Sequence, residues 1–202
     1  TPSKHDVLII GAGIAGCTIA GEIARTGYDV AIVDQNSGPA LETSAHENAL
    51  AHPQVGKKIT KLQRFTQLAN QLAIHQWKNA QIHRQAFEPC SELDHQQIIE
   101  LKELCCEMGY DHKTIQVITR QQAYERTNID VPGIWYETAA IYSLPKICQQ
   151  EITELSLDQK YWFQEVQRIA FQENEWHAFA QDGELICSAK SVVLANGMGA
   201  QK

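Results

Sequence analysis

The residues best suited to chemistry stand near the start of the chain, in Gly11-Ala12-Gly13-Ile14-Ala15-Gly16 and, further on, Asp34. The glycine spacing suits a pyrophosphate. Gly11 permits a tight turn, Gly13 lets the backbone approach the phosphates, and Gly16 lets a helix pack against the preceding strand. The free N–H groups at the start of that helix, with its dipole, attract an anion without Lys or Arg. Each favourable charge there is worth about 0.3–1 kcal/mol, and up to about 2 kcal/mol when shielded. Asp34 would accept hydrogen bonds from adenosine ribose hydroxyls, and its charge would repel a 2′-phosphate.

No other constellation has comparable spacing. The six cysteines (Cys17, Cys90, Cys105, Cys106, Cys148, Cys187) form no CxxC pair and no His stands at metal-ligand spacing. We therefore expect neither a zinc site nor a redox dithiol, and reduced thiols throughout. The eight histidines are scattered, and no Ser or Cys lies in a nucleophile setting, so no catalytic acid, base or metal ligand is assigned.

The elements that must position the turn are legible around it. Asp6-Val-Leu-Ile-Ile10 reads as a strand, Ile14 to Arg25 as a helix ended by Gly27, and Val30-Ala-Ile-Val33 as a second strand. The absence of alternation in both strands suits a parallel sheet buried on its two faces. Further on, the spacing predicts a helix from Thr60 to Arg84 and another from Ile98 to Met108, which together would form a helical hairpin. Short strands are expected at Ile115–Thr119 and Gly133–Tyr136 around a helix at Gln121–Arg126. A helix follows from Leu144 to Leu155, then strands at Glu165–Phe171, Trp176–Ala180 and Ser191–Ala195.

Composition narrows the classes of partner. A formal net charge of −7 gives no overall attraction to phosphate polymers or anionic membrane. The basic run Lys57, Lys58, Lys61 and Arg64 reads as a solvated helix face. The apolar run from Val7 to Ala20 is too short to span a bilayer, so no membrane partner is expected, and no targeting signal is visible. A cytoplasmic location follows as the expectation.

Beyond the dinucleotide unit, Leu41-Glu-Thr-Ser-Ala-His-Glu-Asn-Ala-Leu-Ala-His-Pro53 resembles the flavin-contacting segment of the D-amino-acid oxidase and glycine oxidase superfamily. Within it the chain resembles the FAD-dependent domains of the tRNA 5-methylaminomethyl-2-thiouridine biosynthesis bifunctional proteins. That segment usually reads Ala-Ser-Gly-Asn-x-x-Gly-x-x-x-Pro. Ser44 and Pro53 match, whereas Ala45, His46 and Ala49 replace Gly, Asn and Gly. The resemblance continues through Lys61–Trp77, Gly133-Ile-Trp-Tyr136, Ser143-Leu-Pro145 and the closing Val192-Val-Leu-Ala-Asn-Gly197.

The resemblance implies an α/β fold, with a Rossmann-like FAD-binding domain carrying part of an inserted α+β substrate domain. Residues 1–58 and 143–202 would form the two parts of the first, and 59–142 the helical and partial substrate segment. It implies FAD contacts from Gly11, Gly13, Ile14, Ala15 and Gly16 in the turn, and from Asp34 and Gln35 after the second strand. Further contacts would come from Thr43, Ser44, His46 and Asn48, from the Val166 backbone near adenine, and from Ala195, Asn196 and Gly197.

The implied reaction is oxidation of a secondary amine, with hydride passing to flavin and the resulting imine hydrolysing. In the tRNA-modifying relatives the amine is the carboxymethylaminomethyl group of the wobble uridine, released as glyoxylate. The substrate would thus be a small-molecule or tRNA-borne amine, and the parent protein would carry a methyltransferase domain. Members of the superfamily are longer, so the chain is expected to be a fragment, with oligomeric state open. Three alternatives remain open at this point: an amino-acid or glycine oxidase of the same fold, a nucleotide-binding fragment without activity, and an NAD-dependent dehydrogenase.

Overall fold

A computed structural model of the protein describes residues 3–56, 58–91, 94–111 and 113–197. In chain order the elements of the first half are β1 (Lys4–Ile10), α1 (Ile14–Arg25), β2 (Val30–Val33), β3 (Ala49–Ala51), α2 (Lys61–Gln76), β4 (Gln81–His83), β5 (Ala86–Pro89) and α3 (His95–Glu107). There follow β6 (Ile115–Ile118), α4 (Arg120–Thr127), β7 (Gly133–Tyr136), β8 (Ala140–Tyr142), α5 (Leu144–Glu151), β9 (Lys160–Tyr161), β10 (Arg168–Gln172), β11 (Glu175–Phe179) and β12 (Leu185–Leu194).

Contacts divide these elements into two compact units, residues 1–47 with 144–202, and residues 48–143. The first junction therefore lies at Glu47/Asn48 rather than after Lys58, because β3 pairs with β8 inside the second unit. The return junction falls between Ser143 and Leu144, where α5 begins.

In the first unit a six-stranded sheet has the order β10-β11-β12-β1-β2-β9. β1 is flanked by parallel β2 and β12, β9 runs parallel to β2, and β10–β11 is an antiparallel hairpin added beside β12. The apolar runs of β1 and β2 are buried on both faces, as their lack of alternation requires. Ile9, Val30 and Ile32 meet Cys17 and Ala20 of α1 and Cys148 of α5 on one face; Leu8, Ile10, Ala31 and Val33 meet Ala178, Cys187 and Ala189 on the other. Each fully buried large aliphatic side chain contributes roughly 1.5–3 kcal/mol. Gly21 brings α1 against the end of α5, for a Cβ there would lie 2.4 Å from the Glu151 carbonyl oxygen. The buried Glu151 carboxylate is paired with Arg25 at 2.8 Å.

The second unit holds two three-stranded antiparallel sheets, β3-β8-β4 and β5-β7-β6. Its core gathers Leu101, Cys105, Tyr110, Ile115, Val117, Ile134 and Tyr136. Three helices start with reciprocal capping boxes, Thr60/Gln63 at α2, Asp94/Gln97 at α3 and Thr119/Gln122 at α4.

The expected helix from Thr60 to Arg84 stops at Gln76, since residues 81–83 pair with β8 as a strand. With β4 and β5 standing between them in the chain, α2 and α3 are not a hairpin. Of the basic run, Lys58, Lys61 and Arg64 are exposed as expected, and Lys57 lies outside the described residues.

Candidate cofactor site

β1 ends at Ile10 and α1 starts at Ile14, which puts the glycine turn at the carboxyl edge of the sheet. Ligands of open parallel sheets bind at this edge. Gly11 has φ +102°, and a Cβ there would lie 2.7 Å from the Ala195 carbonyl oxygen. A Cβ on Gly16 would fall 1.8 Å from the Gly11 carbonyl oxygen. Gly13 differs from both, with φ −76° and ψ −176°, a conformation open to any residue.

The amides of the turn divide into two groups. Gly11 N–H donates to the Val33 carbonyl at 2.8 Å, Ala12 N–H to Asp34 Oδ2 at 2.7 Å, and Ile14 N–H to Ser44 Oγ at 2.9 Å. Those of Gly13, Ala15 and Gly16 have no partner among the described residues; the first helical bond runs from Cys17 N–H to Gly13 O at 2.9 Å. No acidic residue lies in the first turn to neutralise this end. The result is a small positive cradle of backbone alone.

Asp34 follows the last residue of β2 and is half-buried. Its Oδ2 holds the Ala12 amide, and its Oδ1 accepts from both the backbone and the side-chain nitrogens of Asn36, each at 2.9 Å. A carboxylate offers about four acceptor positions, so one remains for a hydroxyl. Two contributors escaped the sequence reading, Ala12 through its backbone and Asn36 through its side chain. An Asn two residues after a strand-end Asp was the available signal, since Asx side chains close such local turns.

The remaining expected positions are distributed as follows. Ser44 is buried in a short 3₁₀ turn, Thr43–Ala45, and caps α1 from outside the helix. Thr43 and His46 are exposed, and the His46 carbonyl accepts from Leu144 N–H at 3.1 Å. Gln35 is exposed and donates to Glu42 at 2.5 Å. Ala195 N–H donates to the Ile10 carbonyl at 2.8 Å, so Ala195 and Asn196 pass over Gly11. Asn196 Oδ1 is buried with no partner among the described residues. Asn48 is the first residue of the second unit and exposed. Val166, expected within the Glu165–Phe171 strand, instead precedes β10, and its side chain packs against the Leu8–Val33 face of the sheet.

The DAO family, described as FAD dependent oxidoreductase, matches residues 6–202. The chain belongs to this family. Among its curated relatives, the tRNA 5-methylaminomethyl-2-thiouridine biosynthesis bifunctional protein MnmC of Cupriavidus necator is 27% identical over 209 aligned positions, covering 99% of this chain and 32% of the relative. The chain thus spans about a third of the length of such relatives. Among solved structures, glycine oxidase from Geobacillus kaustophilus superposes with a TM-score of 0.76 at 16% identity, over 98% of this chain and 56% of that one. The L-alpha-glycerophosphate oxidase of Mycoplasma pneumoniae, solved with FAD bound, gives a TM-score of 0.75 at 17% identity, over 94% of this chain and 53% of that one.

FAD is the cofactor of the DAO family, and the residues present suit it. A backbone cradle that Cβ atoms would fill, three unpartnered amides and an orphaned buried Asn196 oxygen face one short stretch of chain. Cys17 is fully buried, and its hydrogen bond with Cys148, followed by burial, pushes its thiol far above the ordinary range. Among the described residues no group of three or more His, Cys, Asp or Glu could hold a metal ion, and no helix is long and apolar enough to cross a membrane.

Ser44→Ala should cost about 1 kcal/mol, as loss of an N-cap partner does, lowering Tm by roughly 2–4 °C in a chain of this size. Calorimetry of the purified variant checks this. An unchanged Tm would show that the Ile14 amide is equally well served by water.

Proposed function

We propose that this protein carries the ADP-binding part of an FAD-dependent oxidoreductase acting on a secondary amine, the carboxymethylaminomethyl group of a wobble uridine in tRNA. The observation that supports it most is the set of free amides at Gly13, Ala15 and Gly16 beside Asp34. These amides would hold the pyrophosphate, and the remaining acceptor position of Asp34 would take a ribose hydroxyl. Ser44 keeps the first turn of α1 in place beneath them. Thr43, Ser44, His46 and Asn48 would reach the flavin side, Gln35 and Val166 the adenosine side, and Asn196 and Gly197 the ADP. Bound FAD supplies the hydride acceptor, which no side chain of the protein can replace.

The tRNA substrate is carried over from relatives named for 5-methylaminomethyl-2-thiouridine biosynthesis. A methyltransferase region in the same gene product and a cytoplasmic site of action accord with it. A second reading, an amino-acid or glycine oxidase, draws on a cleft of about 630 Å³ in the second unit, lined by His52, Lys58, Gln63 and Glu88 among others. Lys58 and Glu88 form no ion pair with each other, and Tyr136 O–H holds one Glu88 oxygen at 2.6 Å, so the walls suit a small zwitterion.

The readings separate in a strain lacking the gene. Mass spectrometry of its tRNA should show wobble uridines halted at the carboxymethylaminomethyl stage. Unaltered wobble uridines would remove the tRNA substrate, and peroxide release on adding glycine or another amino acid would then favour the second reading. A colourless protein that binds NAD and cannot be reconstituted with FAD would remove both.

A further inference from the structure

Tyr161-Trp162-Phe163 sets three aromatic residues in a row at the end of β9. Two of them turn inward. Tyr161 packs against the cluster of Leu8 and Val33 on one face of the first unit's sheet, and Trp162 against that of Ile9 and Val30 on the other. Strand alternation would return Phe163 to the face of Tyr161, yet this residue is 73% exposed. Its backbone carries it away, with φ +59°, a left-handed conformation that bulky side chains rarely adopt.

A single exposed apolar ring is ordinary, but one held out by a strained backbone is not. Among the described residues four others besides glycine share a positive φ. Asn128 ends α4, and Glu173 and Asn174 form the two-residue turn between β10 and β11, where such conformations are common. The remaining two outliers, Ala40 and Phe163, are both bonded to residues of the cofactor site. Ala40 N–H donates to the Ala12 carbonyl at 2.9 Å, Phe163 N–H to the Asn36 carbonyl at 2.9 Å, and Gln164 N–H to the Asp34 carbonyl at 3.0 Å.

A nucleotide whose phosphates rest on the glycine turn and whose ribose meets Asp34 carries its base on the far side of the sugar. The chain bonded to Asp34 and Asn36 is the Phe163–Gln164 segment. These two residues line a cleft of about 390 Å³ with Glu165, Ala180, Gln181 and Asp182. Its walls hold two carboxylates and two amides but neither Lys nor Arg, which suits an uncharged heterocycle and repels a phosphate. Phe163 supplies the flat apolar surface.

We infer that the Phe163 ring is a stacking platform for the adenine of the bound dinucleotide, and that its left-handed backbone serves to hold the ring out for that contact. The inference rests on the nucleotide site of the proposed function. Stacking on an aromatic ring adds affinity without redox chemistry, so the contribution of Phe163 lies in retention of the cofactor.

The test uses the complete product of the gene, freed of flavin. Phe163→Asn removes the ring and puts in its place a residue at home in the left-handed region, so the Tm should stay or rise. The Kd for ADP, measured by calorimetry, should rise at least about fivefold. Inorganic pyrophosphate, which has no base, should compete equally well in variant and parent. Phe163→Tyr, which keeps the ring, should bind ADP like the parent. Equal ADP affinity in Phe163→Asn and the parent would overturn the inference and leave the FAD site standing. A lowered Tm, or an equal loss of pyrophosphate binding, would also overturn it, by assigning the ring to the fold of the site. A parent protein that binds neither ADP nor FAD would remove the proposed function itself, and this inference with it.

Discussion

Gly13→Val should abolish retention of FAD and leave the protein folded. The backbone at this position, φ −76° and ψ −176°, is one a β-branched residue adopts readily. The new Cβ would stand 3.2 Å from Ser44 Oγ, a tight contact that a small movement of the hydroxyl relieves. The stability change should therefore stay within about 1 kcal/mol. The added side chain would nevertheless keep a pyrophosphate from approaching the turn whose Gly13, Ala15 and Gly16 amides are unpartnered. We expect the dissociation constant for FAD to rise at least about a hundredfold, or about 2.8 kcal/mol. Flavin absorbance after gel filtration, with circular dichroism as the folding control, measures both halves. Intact binding in a folded variant would remove the phosphate assignment.

Gly16→Ala should show the reverse pattern, a loss of fold from which the loss of FAD merely follows. Its Cβ would be placed 1.8 Å from the Gly11 carbonyl oxygen and 3.3 Å from Ala195 Cβ. The obstacle is backbone, so no rotamer change relieves it, and α1 would have to move off the sheet that buries Cys17 and Ala20. Overpacking of this kind costs about 3 kcal/mol or more, equivalent to a fall in Tm of roughly 10 °C for a chain of this length. A melting curve decides it. A variant melting like the parent would mean that α1 can slide over Gly11 without penalty.

The contrast between these two glycines shows where sequence reading reaches its limit. The GxGxxG pattern assigned each a task, and the task of Gly16 is visible as a steric fact. That of Gly13 rests on the unpartnered amides of Gly13, Ala15 and Gly16, which no residue pattern displays. The strands and helix around the turn were legible because their signals are local. Val30–Val33 has no polar residue to place outward, and Ile14, Ile19 and Ile23 recur at helical spacing. The short strands of the second unit were not legible. Residues 81–83 look like the end of a helix until β8 supplies their hydrogen bonds, and β3 belongs with Ile141 rather than with the strands that precede it.

Helix α2 makes the same division from another side. Its existence follows from period and from the Thr60/Gln63 capping box, yet its orientation runs against the usual rule that the apolar stripe turns inward. Burial is a property of neighbours, and those are chosen by the whole fold.

The sequence by itself determined a nucleotide-sized turn between a strand and a helix, a carboxylate beyond it and membership of a flavin-dependent family, because turn chemistry and periodicity act over a few residues. Only the tertiary structure decided that Asp34 clasps the Ala12 amide, that Ser44 caps α1 across 30 residues, and that Ala195 and Asn196 close over Gly11. Each of these joins groups far apart in the chain, and their meeting depends on sheet order and packing.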